Sequence, residues 1–340
     1  MRRWVARGRL VAAELGRWPW IWAISLSVAL LVAASLSARY GAVRVPTLEL
    51  WFALTDVGHP LHTVLWEVRL PRVVVAALVG GSLAVSGALL QTVVRNPLAD
   101  PGLLGVNAGA GVAALIALAW APGFALLLPV MAFGGALAAV SIILLAAWGS
   151  GQRLSPLKII LSGVAVQAIL FSVIALLTFF FADRAPAFVA FTVGSLSGAG
   201  WSEAGIVAPV AAAGLLLAVA GRRSLNLLLL DDATAAGVGV EVQRSRLAAS
   251  AVAALLAAAS VSVAGLVGFV GLVVPNWVRV VSGPDHRSLI PLSALGGSVL
   301  VVAADLLARL LTAPLELPVG ALLALVGGPY FLFVLWRKLP

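Results

Sequence analysis

The chain has 340 residues, of which 62% are hydrophobic and only 10% are charged, with a mean hydropathy of +1.11. Soluble domains carry about 25% charged residues, so this composition excludes one and marks an integral membrane protein. The formal net charge of +9 then reads as membrane orientation rather than nucleic-acid binding, and the lack of cysteine excludes a disulfide framework and a thiolate metal site.

Helical bundles and closed barrels are the two structures that satisfy their backbone in lipid. Barrel strands alternate apolar and polar residues. Here the apolar runs are continuous, which predicts an all-α bundle. Arg2, Arg3, Arg7, Arg9 and Arg17 precede a first run, Pro19 to Ser37. Its small-residue end, Ala33 to Ala38, has the look of a secretory cleavage site. The run is long for a signal core and many more follow, so it is taken as an uncleaved span. After a polar stretch, residues 39–72, spans are predicted at 71–94, 103–120, 124–148, 157–181, 203–221, 247–266, 268–282, 289–311 and 318–336, ten in all. The span at 268–282 is short and is interrupted by Pro275. Ten spans place both termini on one side. With the termini and alternate loops in the cytoplasm, 16 of the 22 Lys and Arg lie inside. The exceptions are Arg39, Arg44, Arg69, Arg72, Arg184 and Arg309. Small residues recur every four positions at Gly80, Ala84 and Ala88, and cluster at Gly134, Gly135, Ala138 and Ala139, which predicts two close-packing faces.

A second polar segment between spans is Arg222 to Arg246, with four arginines, three acids, an apolar run (Leu225, Leu227 to Leu230) and a Gly-Val-Gly break. Such a segment suits a docking handle for a soluble partner; the plainer reading is a solvated loop.

Several chemistries are missing. His59, His62 and His286 all fall in predicted loops, and Met1 and Met131 are the only methionines. A path for bare transition metal ions would offer imidazole, thiolate or thioether ligands, so a metal cargo would have to arrive chelated. No span holds a His beside a candidate Ser nucleophile. Lys158 and Lys338 follow Leu157 and Arg337, so no Gly-Lys-[Ser/Thr] phosphate loop exists. The chain is expected to be no enzyme and to bind no cofactor. Asp305 is the clearest acid deep in a span, and Arg309 lies one helical turn later, which suggests a local ion pair rather than a proton relay. Energy supplied by a partner is the favoured reading. The alternative is a stand-alone secondary transporter driven by an ion gradient.

Six stretches in order then carry a resemblance. They are Arg69-Leu70-Pro71-Arg72 with residues 81–87 and Gln91; Arg95 to Gly105 (RNPLADPGLLG); Gly268 to Pro275 (GFVGLVVP); Gly283 to Arg287 (GPDHR); Asp305 to Arg309 (DLLAR); and Glu316 to Gly320 (ELPVG). Over about residues 60–337 the chain resembles the FecCD family, the permease subunits of ABC importers (type II) for iron-siderophores, haem and cobalamin. The resemblance implies a ten-helix permease, a single transmembrane domain over residues 1–340 with residues 1–18 a cytoplasmic N-terminal segment, in the bacterial cytoplasmic (inner) membrane. It implies a second permease copy as a homodimer, with the cargo path between the two. Two cytoplasmic ATPases carrying ATP and Mg, and a periplasmic or lipid-anchored binding protein, complete the importer. An iron-siderophore is the first choice of cargo, with haem or cobalamin next.

Residues 222–246 match the family's coupling region. Leu228, Leu229, Leu230 and Val238 would give the ATPase apolar contact, and Asp231, Asp232 and Glu241 would meet basic groups. Asp231 stands where the family usually has Gly, and Asn276 where it often has His. Arg69, Arg72 and Arg309 match arginines that meet glutamates on the binding protein; local pairing with Glu67 and Asp305 is the other reading. The loop Gln152 to Lys158, with Ser155, Pro156 and Leu157, resembles the cytoplasmic gate or is a plain turn. Gln91, Ser162 and Gln167 line the path or hydrogen-bond between helices. Arg95 to Gly105 reads as a rigid corner.

Overall fold

The computed structural model describes residues 19–41, 45–120, 127–148, 155–312 and 315–338. Arg2, Arg3, Arg7, Arg9, Arg17, Arg44 and Gln152, singled out above, lie outside the described residues. The described chain is helical. In order the helices are α1 (Pro19–Arg39), α2 (Thr47–Thr55), α3 (Leu70–Val94), α4 (Val106–Trp120), α5 (Leu127–Trp148), α6 (Pro156–Phe180), α7 (Ala185–Val193), α8 (Trp201–Ala220), α9 (Arg222–Leu227), α10 (Asp232–Gly237), α11 (Val242–Ala264), α12 (Val270–Ser282), α13 (His286–Leu311) and α14 (Val319–Lys338). Seven are long and apolar enough to cross a membrane: α1, α3 with the π-turn that leads into it, α5, α6, α8, α11 and α13. Val106–Trp120, Val270–Ser282 and Val319–Leu332 are shorter apolar helices. Each predicted span is thus helical, but helix length alone supports seven crossings.

α3 is the centre of the bundle, buried along nearly its whole length against α11, α12 and α13. Pro71 sits in its first turn, where a missing N–H costs nothing. It ends at Arg95, which adopts a left-handed conformation (φ 53°) before Pro97 forbids further helix. The predicted small-residue face is what lets α13 approach. A Cβ on Gly80 would stand 2.2 Å from the Gly297 carbonyl oxygen, and one on Gly297 would stand 2.1 Å from that of Gly80. The two backbones therefore touch, closer than the usual 8–10 Å axial spacing of helices with ordinary side chains allows. α4 and α5 repeat the device, with a Gly109 Cβ 2.3 Å from the Gly135 oxygen. The second predicted face is corrected in part. Gly135 and Ala139 meet α4, whereas Gly134 and Ala138 are exposed on the other side of α5. Residues 134 and 138 share one stripe and 135 and 139 the next, and only one can face a neighbour.

Two short helices, α2 and α7, were not foreseen, because each is too short for a span and lies in a stretch read as a connection. α11 starts at Val242, five residues before its predicted span, so the polar segment runs directly into a bundle helix.

Replacing Gly297 by Leu is expected to destabilise the purified protein by at least about 1–3 kcal/mol through overpacking. Gly134→Ala, with nothing within 4 Å of its new Cβ, is expected to be neutral or slightly stabilising, since Gly costs about 1 kcal/mol relative to Ala in a helix. Thermal unfolding of the two variants checks the contrast.

Candidate functional site

Two polar assemblies occupy opposite ends of α3, which at 1.5 Å per residue lie about 34 Å apart. At the Arg95 end, the segment between α8 and α11 folds into two short helices. Asp231 caps α10: its carboxylate accepts from the Thr234 N–H at 2.8 Å and from the Thr234 hydroxyl at 2.7 Å. Its φ of −65° needs no glycine, so aspartate is well suited to the position. Asp232 is the knot of the segment. Arg246 holds it through two bonds, 2.7 and 3.0 Å, and Arg95 adds a third at 2.7 Å. Arg95 also donates to the carbonyls of Leu228 (3.0 Å) and Leu230. One residue at the end of α3, one in α11 and the loop of the segment are thereby joined.

The side chain of Asn226 makes a second tie. Its Oδ1 accepts from the His286 backbone N–H at 2.9 Å and lies 2.7 Å from His286 Nδ1, while its Nδ2 donates to Asp285 at 2.7 Å. Asn226 thus satisfies an orphan donor at the start of α13. His286, predicted in a loop, is instead the buried first residue of that helix, with Nε2 2.8 Å from the Thr92 hydroxyl of α3.

The hydrogen bonds to Thr234 hold the Asp231 carboxyl below the usual carboxylate range. Burial pushes Asp232 up, but Arg246 and Arg95 together outweigh it and hold this carboxyl low as well. The Asp285 carboxyl is likewise lowered, by the Arg287 N–H and Asn226.

Of the residues expected to contact an ATPase, Leu229, Leu230, Val238 and Glu241 are exposed, Val238 at 63%. Leu228 is corrected: at 1% exposure it belongs to the core and anchors the segment. Asp232 is also corrected from a free contact to an internal tie. Glu241 pairs with Arg244 at 2.8 Å on the surface.

At the other end, Arg72 grips Asp305 through Nε (3.1 Å to each oxygen) and Nη2 (2.9 Å), and reaches Glu316 at 2.9 Å. Arg309 meets the same Asp305 at 3.2 Å, one turn along α13. Arg309 also bonds the Ser37 hydroxyl and lies 3.5 Å from the Tyr40 carbonyl, and Arg69 donates to the carbonyls of Ala38 (2.6 Å) and Arg39 (3.1 Å). Two arginines therefore close the C-terminal end of α1, where carbonyls lack helical partners and the dipole favours cations. The three residues are only 5–8% exposed, and all three pair locally. Asp305 is the partner expected. Glu67 is exposed and makes none of these pairs; Glu316 takes that place.

The gate and pathway residues divide. Ser155 caps α6, accepting from the Lys158 N–H at 3.3 Å; Pro156 is half-buried and Leu157 exposed. Gln91 is buried, donating to the Gly271 carbonyl at 3.0 Å and accepting from Arg279, and so joins α3 to α12. Gln167 donates to the Leu103 carbonyl at 3.3 Å, and Ser162 is half-buried on the largely exposed α6. Arg95 to Gly105 forms a corner held by Asn96 (2.9 Å to the Leu98 N–H) and Asp100 (2.8 Å to the Gly102 N–H), whose carboxyl burial pushes up. Asn276 donates to the Pro97 carbonyl of this corner at 2.7 Å. That tie needs a side-chain donor, which either Asn or His supplies.

Residues 28–337 match the FecCD transport family. The chain belongs to this family. It is 40% identical over 324 residues to the hemin transport system permease protein HmuU of Yersinia pestis, covering 92% of this chain and 94% of that one. It is 40% identical over 318 residues to the Fe(3+) dicitrate transport system permease protein FecD of Escherichia coli, covering 92% and 98%. The cobalamin import system permease protein BtuC of Halobacterium salinarum is 39% identical over 91% of this chain and 85% of its own. A solved structure described as the inward-facing conformation of a metal-chelate type ABC transporter superposes with a TM-score of 0.82 at 27% identity, covering 93% of this chain and 98% of that one. The chain is therefore a multi-pass FecCD permease with the fold of an ABC transporter of metal-chelate type.

Truncating one partner of a buried pair leaves the others uncompensated, at about 3–5 kcal/mol. Asp305→Leu is expected to lower the melting temperature of the purified permease more than Asp305→Leu combined with Arg72→Met and Arg309→Met, which leaves neither arginine buried without its carboxylate. At the other end, Asp232→Asn should raise hydrogen exchange across residues 228–240 without altering α5 or α6. The depressed folded-state values of Asp231 and Asp232 mean that their stabilisation is present above about pH 4 and lost as pH falls through the folded values. Proteolysis near Gly237 to Gly239 should accordingly stay constant from neutral pH down to about pH 4.

Proposed function

We propose that the chain is the membrane-spanning permease subunit of an ATP-driven importer of chelated metal in the bacterial cytoplasmic membrane. The observation that carries this is family membership over residues 28–337 in a chain whose sequence has no phosphate-binding loop, so the energy must come from another subunit. The segment 222–246 fits such a partner. It is tied to α3, α11 and α13 from within, while Leu229, Leu230 and Val238 remain exposed on its outer side. The stand-alone carrier has no structural support, because the Asp305 carboxylate is fully engaged by Arg72 and Arg309.

In this reading the chain has ten crossings and cytoplasmic termini, consistent with the excess of Lys and Arg on that side. Two copies flank the cargo path, with the exposed face of α6, including Ser162 and Gln167, and the gate residues Ser155, Pro156 and Leu157 turned toward it. ATP and Mg sit on two ATPase partners, and a binding protein delivers the cargo to the Arg72 end. Relatives at 36–40% identity are named for hemin, ferric dicitrate, cobalamin and iron-hydroxamate. Ferric chelates recur among them, so an iron-siderophore is the first cargo to test, then haem and cobalamin.

The test is reconstitution of the permease with its ATPase and a panel of loaded binding proteins. ATPase activity should rise with the cognate chelate, and the permease alone should hydrolyse no ATP. Val238→Asp should cut uptake at least about tenfold by placing a charge in an apolar contact, with membrane insertion unchanged. Hydrolysis by the purified permease, or full uptake by the Val238 variant, would overturn the reading.

A further inference from the structure

Between α3, α8, α9 and α11, at the Arg95 end of the bundle, lies a half-open cleft of about 310 Å³. That is at the lower end of ligand-sized cavities, about 300–1,000 Å³. Its walls are Leu89, Leu217, Leu225, Ala248 and Val252, a surface for hydrocarbon. Leu216 and Leu217, on the adjoining face of α8, are themselves exposed, so the cleft opens toward the surroundings of the bundle. The rest of the lining is of a different character. Ser224, Ser245 and Arg244 contribute to it, and Arg222 and Arg223, which do not line the cleft, stand in sequence between the lining residues Gly221 and Ser224.

Among the described residues, the guanidiniums of Arg222 and Arg223 and the hydroxyls of Ser224 and Ser245 have no hydrogen bond or ion pair within the protein. Arg244 is 83% exposed in its side chain and meets Glu241 alone. Arg244 lines the cleft and Arg222 and Arg223 adjoin its lining in sequence, and these three arginines against one glutamate leave an excess of two positive charges beside it. The nearby Arg95 and Arg246 are different, since Asp232 engages both. An apolar cleft at the end of membrane helices, closed at its polar end by cations and hydroxyl donors, has the chemistry of an anionic lipid's chain and headgroup.

We propose that this cleft is a binding site for an anionic phospholipid, with one acyl chain against Leu89, Leu217, Leu225 and Val252 and the phosphodiester at Ser224, Ser245 and the Arg222–Arg223–Arg244 group. Guanidinium forks and hydroxyls both suit phosphate oxygens. α9 begins the segment tied to α3 and α13, so an occupied cleft would brace the root of that segment. The inference rests on the functional reading only for which leaflet supplies the lipid.

The test is native mass spectrometry of the full chain, purified in detergent and mixed with equal amounts of phosphatidylglycerol and phosphatidylcholine of identical chains. The permease should retain phosphatidylglycerol in preference. Arg222→Gln with Arg244→Gln should reduce that preference by about fivefold per arginine. Ala248→Trp, on the cleft wall, should reduce retention of the bound lipid. Arg287→Gln, an exposed arginine at the same end, should change neither, and sn-glycerol 3-phosphate, which lacks chains, should not compete. Equal retention of the two lipids, an Arg287→Gln effect as large as that of the pair, or competition by glycerol phosphate would overturn the proposal. No ATPase, cargo or membrane sidedness enters the measurement, so its failure leaves the importer reading standing, and failure of uptake leaves this one standing.

Discussion

The crossing of α3 and α13 at Gly80 and Gly297 is the constraint on which the rest depends. Each glycine would place a Cβ within about 2.2 Å of the other's carbonyl oxygen, so no side chain can separate the helices there. In lipid, helices gain little from hiding apolar surface from one another, and association rests on close packing and hydrogen bonds. Backbone contact maximises the first. It also sets the second, because only helices this close can bring Arg72 and Asp305 together at one end and Thr92 and His286 at the other.

The charges then follow a consistent rule. An arginine in a bundle end is costly unless it is paired or reaches water. Arg72 uses two carboxylates, Arg69 and Arg309 use the open carbonyls or hydroxyl at the end of α1, and Arg95 and Arg246 share Asp232. This explains how Arg69, Arg72 and Arg309 are accommodated, nearly buried, at one end of the bundle. They balance helix ends and acids rather than orient the chain.

Much of this was legible in the sequence. Continuous apolar runs located every bundle helix, and the i,i+4 spacing of Asp305 and Arg309 foretold their pair. The six motifs identified the family. What was not legible depended on distance in space. Arg72 and Asp305 are 233 residues apart, and nothing local to either announces the other. Leu228 and Leu229 are identical in type, and only the fold turns one inward and the other out. Gln91 and His286 looked like pathway or loop residues because a polar side chain in an apolar run gives no sign of whether its partner is protein or cargo. The helix faces of α5 were confused for a related reason, since adjacent glycines mark two stripes and packing chooses one.

The segment between α8 and α11 shows why tertiary ties matter more than helix propensity for short surface helices. α9 and α10 have six residues each, far below the 12–15 or so at which isolated helices become even marginal in water. Their position must come from contacts. Those contacts run to three bundle helices: Arg95 extends α3, Arg246 belongs to α11, and Asn226 meets the start of α13. The two arginine–carboxylate ties are charge-assisted and contribute about 1.5–3 kcal/mol each when shielded, less where Asp232 is open to water, and the neutral Asn226 tie contributes about 0.5–1.5 kcal/mol. A segment with one such tie could swing as a loop and dissipate a push on its exposed leucines and Val238. With ties to α3 and α13, which are locked together at Gly80 and Gly297, and a third to α11, a displacement of the segment cannot be absorbed locally. It must either break several bonds together or move α3, α11 and α13 with it.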